Sequence, residues 1–203
     1  MNKTLIAIAA GAATAGAASA QVVLDGFDAI PNDDAGGSRV LTNDIDNPNN
    51  FPIDIGINVT FDGGNGTFFF FTPSSTSVIS SIAYTPAGGL DAAALGVVGL
   101  EFDFRGVDQS FDVGVEFADG GGNLATGGFS VASGDSTVFV PLGGLSFDPG
   151  FDATNITLFT ADFNSSRVEG LDFLLTEIRA VVPSPGTAAV LGLGGLAALR
   201  RRR

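Results

Sequence analysis

The 203-residue chain contains no cysteine, no histidine and no tryptophan, and only one tyrosine. Without cysteine the folded protein depends on packing, because no disulfide can restrain the unfolded chain. Without histidine the commonest general base and metal ligand is missing, which excludes a Ser-His triad and the usual zinc and copper ligand sets. These absences argue against catalysis and leave binding or structural functions to consider.

The region between the two ends of the chain is strongly acidic. Between residues 21 and 185 there is no lysine, and four arginines stand against all 22 acidic residues, which gives this part a net charge of −18. The arginines are Arg39, Arg105, Arg167 and Arg179. A nucleic acid partner is excluded, because such a surface would repel its phosphate backbone.

The first 20 residues have the order of a secretory signal peptide. Lys3 supplies the positive charge, residues 5–13 form an apolar run, and residues 18–20 form a small-residue cleavage site with the sequence Ala-Ser-Ala. We therefore predict a signal peptide over residues 1–20, with cleavage before Gln21.

The last 22 residues also have the composition of a targeting segment. The segment opens on a proline motif made of Val182, Pro183, Ser184, Pro185 and Gly186. Residues 187–199 are uncharged and mostly apolar, and as a helix they would span about 20 Å. That length is short of a bilayer core of about 30 Å, so we predict a transmembrane helix that anchors only transiently. The chain ends on four arginines, which we expect on the cytoplasmic side: Arg200, Arg201, Arg202 and Arg203.

This tail resembles the PEP-CTERM sorting signal of Gram-negative bacteria, which an exosortase recognises and processes. The resemblance covers residues 182–203 and rests on the order of proline motif, glycine- and leucine-rich stretch, and arginines. One position departs from the family, since Ser184 stands where the central glutamate is expected. The resemblance implies export across the inner membrane, an exosortase-like processing enzyme as partner, transient contact with the inner membrane, and a final place at the cell surface or in the extracellular matrix.

The region between the two targeting segments alternates apolar and polar residues with the period of a strand. Examples are residues 100–104 and 111–117, and clusters of Gly, Asp and Asn separate about ten such segments. This pattern predicts an all-β fold, an antiparallel β-sandwich over residues 21–181. The run Phe68-Phe69-Phe70-Phe71 lacks alternation, which predicts a central strand covered on both faces.

Several segments resemble the galactose-binding-like jelly roll of many carbohydrate-binding modules. They are V-V-L-D-G-F-D from Val22, G-L-E-F-D-F-R-G from Gly99 and G-L-D-F-L-L-T-E-I-R from Gly170. The resemblance implies a jelly roll and a structural calcium where the first and last strands meet. By position, the calcium ligands would come from Asp25 or Asp28 together with Asp172 or Glu177. Residues 32–47 are also rich in Asp and Asn, which predicts an oxygen-rich loop with the ligand types that calcium prefers.

The sequence favours a non-catalytic structural or adhesive β-sandwich that is exported to the cell surface or matrix. The alternative is a carbohydrate-binding module for exopolysaccharide, with or without structural calcium. The fold resemblance supports glycan binding, whereas the lack of Trp and Tyr opposes it, because sugars usually stack on those rings. An enzyme is not predicted: no G-x-S-x-G elbow is present, and the many paired acidic residues indicate a solvated sheet face.

Overall fold

The computed structural model describes residues 20–27, 37–58 and 66–182, and its compact unit runs from Ala20 to Val182. Residues 1–19 of the predicted signal peptide, the tail beyond Val182 and Asp28 lie outside the described residues. Within these ranges, no helix has the length and hydrophobicity needed to cross a membrane.

Twelve strands and two short helical turns make up the described part of the chain. Their bounds are β1 Ala20–Asp25, β2 Ser38–Asp46, β3 Asp54–Asn58, β4 Thr67–Phe71, β5 Ser77–Thr85, α1 Ala92–Leu95, β6 Gly99–Val107, β7 Phe111–Asp119, β8 Leu124–Val131, β9 Gly134–Pro141, a 3-10 helix at Leu142–Gly144, β10 Ser146–Phe147, β11 Ile156–Phe163 and β12 Asp172–Val182.

The strands form two six-stranded sheets, and all of their pairings are antiparallel. Sheet A has the order β3-β4-β12-β6-β9, and β1 also pairs with β12, along the part of β12 that β4 leaves open. Sheet B has the order β10-β8-β7-β11-β5-β2. The predicted all-β antiparallel sandwich is confirmed, and the first and last strands pair with each other.

Phenylalanine fills the core between the two sheets. On β6, β7, β11 and β12 the residues with apolar side chains alternate with exposed or half-buried ones, as the strand period requires. Phe173 is completely buried and its ring packs against neighbours from both sheets, which are Phe68, Phe70, Phe104, Phe111 and Phe163.

The prediction that the Phe68–Phe71 run is covered on both faces is wrong. Strand β4 does lie inside sheet A, between β3 and β12, but only Phe68 and Phe70 are completely buried. Phe69 is half-buried and Phe71 is exposed, because the strand period sends alternate rings to the side of the sheet that faces away from sheet B. We call that side the outer face of sheet A.

The predicted oxygen-rich loop over residues 32–47 is also wrong in its second half. Residues 38–46 form strand β2, which pairs along its whole length with β5 at the edge of sheet B. The Ser80 hydroxyl donates a hydrogen bond to Asn43 Oδ1 at 2.7 Å, and Asp44 forms an ion pair with Arg167. Backbone pairing with β5 overrides the turn preference of these Asn and Asp residues, and the side chains of Asn43 and Asp44 are already engaged.

Candidate functional site

The outer face of sheet A carries a stacked pair of phenylalanines, Phe69 and Phe71, which we call the aromatic patch. The two ring centroids are 6.1 Å apart and the ring planes differ by 23°. Phe71 is 39% exposed. The Phe69 ring lies over Gly56 of β3, where a side chain would bring a Cβ to 3.1 Å from Phe69 Cζ. A glycine in the neighbouring strand therefore makes room for the ring.

Two aspartates flank the exposed ring of Phe71, one on each neighbouring strand. Asp54 of β3 and Asp172 of β12 are both the direct cross-strand partners of Phe71. Side chains in such pairs have Cβ atoms about 4.5–5.5 Å apart. The order Asp–Phe–Asp thus runs across three adjacent strands, with an apolar ring at its centre and a carboxylate on either side.

The two carboxylates retain free acceptor capacity. Asp172 Oδ1 accepts a hydrogen bond from Thr72 N at 3.0 Å, whereas its Oδ2 has no partner among the described residues. Asp54 is exposed and its carboxylate likewise has no partner there. Burial raises the pKa of Asp172, and the nearby charge of Asp108 raises it further, while the Thr72 N–H opposes both.

The rest of this face consists largely of ion pairs. Cross-strand partners form rows that run across the sheet. In one row, Phe69 of β4 is the partner of Leu174 of β12, which is in turn the partner of Arg105 of β6. Arg105 pairs with Asp103 at 3.0 Å, and Arg179 pairs with Glu177 at 2.9 Å and Glu101 at 3.4 Å. These carboxylates already have cationic partners, unlike those beside Phe71.

Two other surfaces lack such a combination. The outer face of sheet B has a shallow groove of about 290 Å³ with acidic and small residues but no outward-facing aromatic side chain, and it is lined by Asp112, Gly114, Gly128, Ser130 and Ser165 among others. At one end of the sandwich an apolar cavity of about 110 Å³ lies beside α1, between Leu95, Phe159 and Val182. Its lining is almost wholly apolar, so it offers no polar groups that would orient a ligand.

The predicted calcium ligands do not converge in the described part of the chain. Asp25 is buried, forms an ion pair with Arg39, and accepts hydrogen bonds from Tyr84 Oη and Phe27 N, both at 2.8 Å. Glu177 is paired with Arg179 on the outer face of sheet A. Asp172 lies five residues from Glu177 along β12, which is about 17 Å at the usual rise of a strand.

No group of three or more acidic side chains that could hold a metal occurs among the described residues. Asp28 lies outside them, so the calcium site that includes it stays a prediction. A calcium-induced rise in melting temperature after treatment with a chelator would be its test.

The sequence interpretation missed the aromatic patch because it expected the Phe68–Phe71 run to be covered on both faces. Two signals pointed to it. A run of four aromatic residues in one strand must send two rings to each face. In addition, Gly56 stands between Ile55 and Ile57 in β3, and a glycine inside a strand is typical of a close approach by a neighbouring group.

A buried aspartate, Asp119, stabilises the turn that joins β7 to β8, and both of its carboxylate oxygens accept hydrogen bonds. Asp119 Oδ1 accepts from Gly121 N and Asn123 N, both at 2.8 Å, and Oδ2 accepts from Asn123 Nδ2 and Asp152 N, both at 2.9 Å. These bonds lower the pKa of Asp119 to about 2; the bond from the Asn123 side chain contributes most, and burial opposes them.

We expect the hydrogen bonds to Asp119 to make the free energy of unfolding depend on pH. The folded pKa of Asp119 lies below its unfolded value, so its contribution is complete above about pH 4 and is lost as the pH falls towards 2. Asp119→Ala should therefore lower the free energy of unfolding at pH 6, and the difference from the wild type should shrink between pH 4 and pH 2. Urea denaturation at several pH values measures this.

The matched control for this experiment is Asp46→Ala, which removes an exposed carboxylate at the end of β2. Its effect should be small at every pH. A difference between Asp119→Ala and the wild type that stayed constant from pH 6 to pH 2 would contradict the assignment.

No protein-family model and no curated protein matches this sequence. Solved structures do match its fold. A family 11 carbohydrate-binding module of a cellulosomal cellulase of Clostridium thermocellum superposes with a TM-score of 0.50 at 12% identity, covering 82% of this chain and 96% of that chain. The module in complex with a β-1,3-1,4-mixed-linked tetrasaccharide gives a TM-score of 0.51 at 13% identity, covering 81% and 96%.

The agarase AgWH50C also matches, with a TM-score of 0.53 at 16% identity, over 81% of this chain but only 25% of the agarase. At these identities the likeness concerns the fold alone. This protein therefore has the two-sheet antiparallel β-sandwich fold that carbohydrate-binding modules also adopt.

Proposed function

We propose that this protein is a non-catalytic polysaccharide-binding module and that the aromatic patch is its binding surface. The observation that carries the proposal is the stacked, solvent-facing pair Phe69 and Phe71, with free carboxylate oxygens on either side of Phe71. Exposed apolar groups bounded by polar ones mark binding surfaces in monomeric proteins.

The chemistry of a sugar ring suits this arrangement. One face of a pyranose presents C–H groups that pack against an aromatic ring, while its hydroxyl groups point outwards and can donate hydrogen bonds. Phe71 would receive the C–H face, and Asp54 and Asp172 would accept from the hydroxyls. Hydrogen bonds to ionised acceptors are stronger than neutral ones.

The extent of the surface favours a polymer over a single sugar. The row through Phe69 and Leu174 reaches Arg105 on β6. The whole outer face spans five strands from β3 to β9, which is about 19 Å at the usual strand spacing. Phe139, at 46% exposure on β9, adds a further outward ring at the far edge of the same face, opposite Glu101. A glycan chain that runs diagonally over the strands could contact both edges.

The comparisons support this proposal by analogy of fold. The superposed family 11 module is described in complex with a tetrasaccharide, and a segment of an agarase has a similar fold. The absence of catalysis is part of the proposal. Glu101, Asp103 and Glu177 on this face are held in ion pairs with arginines, and the proposal assigns the carboxylates of Asp54 and Asp172 to the sugar hydroxyls.

Export and sorting complete the proposal. A polysaccharide-binding sandwich carried to the cell surface or matrix by an exosortase-like system would act as an adhesive element there, which unites the two functions considered from the sequence. The residues responsible for sorting would be those of the tail, from Val182 to Arg203.

Affinity electrophoresis of the full-length chain tests the binding function. In gels that contain mixed-linkage β-glucan, agarose or glycol chitosan, we expect at least one polymer to retard the protein. Phe71→Ala should weaken that retardation about tenfold or more, because it removes the stacking surface, and about 1.4 kcal/mol corresponds to a factor of ten.

The control is Phe147→Ala, which removes a ring that is 50% exposed on β10 of the other sheet. It should leave retardation unchanged. The proposal fails if no polymer retards the protein, or if Phe71→Ala and Phe147→Ala behave alike.

A further inference from the structure

The charge around Phe71 carries an inference about the ligand, which rests on the proposed function. The side chains flanking the ring, Asp54 and Asp172, carry hydrogen-bond acceptors and no donors. Asp108 adds a third carboxylate, since its Oδ1 accepts from Asp172 N at 2.8 Å. A neutral sugar has both donor and acceptor hydroxyls, so it would use only part of this chemistry.

No free cation on the described part of this face offsets these carboxylates. Arg105 lies beyond Leu174 and is itself bound to Asp103 at 3.0 Å, with Asp135 at 3.9 Å. Arg179 is bound to Glu101 and Glu177. The potential at the patch is therefore negative, which opposes uronic acid or sulfated chains and favours a cation.

The chemistry of an aromatic ring between two carboxylates suits a cation. The face of a phenyl ring attracts an ammonium group through its quadrupole. The flanking carboxylates accept charge-assisted hydrogen bonds from the same group. A ligand with both a C–H face and an ammonium group could pack on the ring and donate hydrogen bonds to both carboxylates. An amino sugar has both groups.

We propose that the aromatic patch selects polysaccharides that contain amino sugars with free amino groups, and that the ammonium group lies between Asp54 and Asp172 against the ring of Phe71. Neutral glycans would bind the same ring more weakly, and anionic glycans would be excluded.

Glycol chitosan and its fully N-acetylated form give a matched pair of probes, because they share a backbone and differ in the charge on nitrogen. Binding of the full-length chain is measured at 0.15 M salt, where screening limits non-specific attraction to the acidic surface, and in EDTA, so that calcium cannot bridge. We expect glycol chitosan to bind at least tenfold more tightly than the acetylated polymer, and alginate not to bind.

Two charge-matched double variants separate the site from the overall charge. Asp54→Asn with Asp172→Asn keeps the size of both side chains and an oxygen for Thr72 N, and should weaken glycol chitosan binding about tenfold or more. Asp46→Asn with Asp162→Asn removes the same charge from sheet B and should change binding by less than twofold. Melting curves check that both variants are folded.

The other outcomes distinguish a failure of this inference from a failure of the proposed function. Equal binding of the charged and acetylated polymers, both lost in Phe71→Ala, would overturn the selectivity for amino groups and keep the proposed function. Equal weakening by the two double variants would show non-specific charge attraction and overturn the inference, as would stronger binding of alginate. Failure of every polymer to bind would overturn the proposed function as well.

Discussion

Replacing Arg39 with methionine should destabilise the protein by about 3–5 kcal/mol at neutral pH, because it leaves a buried carboxylate without its cation. The side chains of Arg39 and Asp25 are 2% and 1% exposed, and they form an ion pair at the junction of the two sheets. Arg39 also lies over the ring of Phe27, with Cζ 5.3 Å from the ring centroid. Among the described residues, Asp25 would keep the hydrogen bonds from Tyr84 Oη and Phe27 N alone.

The pH dependence of this variant identifies the cause. Burial raises the pKa of Asp25, and the hydrogen bond and charge of Arg39 are the largest opposing effects. Without Arg39 the folded pKa should rise further. A group whose pKa is raised in the folded state stabilises the fold at low pH, and this stabilisation is lost as the pH rises through that pKa. The loss of stability in Arg39→Met should therefore be largest at pH 7 and shrink towards pH 4.

A double-mutant cycle completes the test. Asp25→Asn with Arg39→Met should be less destabilised than the sum of the single variants, because the double variant buries no charge. Urea denaturation at pH 4 and pH 7 gives the free energies. A loss below about 1 kcal/mol for Arg39→Met at pH 7 would mean that the pair contributes little.

Phe173→Ala should cost about 3–5 kcal/mol, which is typical when a fully buried aromatic side chain is removed from a core. Phe173 is completely buried, and its ring centroid is 4.7 Å from that of Phe111 and 4.9 Å from that of Phe70. These neighbours come from both sheets, so the cavity left behind lies where the sheets pack together, and rigid strands cannot collapse into it.

Chemical denaturation again gives the measurement, with two comparisons. Phe173→Leu keeps much of the volume and should cost less than the alanine variant. Phe71→Ala removes a ring on the exposed side of the neighbouring strand β4. It should cost far less than either variant of Phe173. Similar losses for Phe71→Ala and Phe173→Ala would contradict the assignment of inner and outer faces.

Much of the fold could be predicted from local sequence. The alternation in residues 100–104 and 111–117 places Phe102, Phe104 and Phe111 inside, and the structure buries all three. Such predictions succeed because the side-chain period of a strand is a property of consecutive residues. Turn clusters of Gly, Asp and Asn mark the strand ends for the same reason.

Strand β2 and the aromatic patch could not be predicted in this way. Residues 43–46 have the composition of a loop, and they become a strand because β5 supplies their backbone partners. Strand propensity depends strongly on such context. Likewise, the Phe68–Phe71 run does not tell which pair of rings faces water, since the answer depends on where sheet B lies.

By itself, the sequence determined the all-β antiparallel class, the acidic charge and the exclusion of histidine- and cysteine-based chemistry, because composition and period-two patterning are local properties. Only the tertiary structure decided that Phe71 is exposed and that Asp54 and Asp172, which are far apart in the chain, lie on either side of it. The physical reason is register: cross-strand neighbours are fixed by hydrogen bonding between distant segments, and a shift of one residue would turn these side chains to the opposite face.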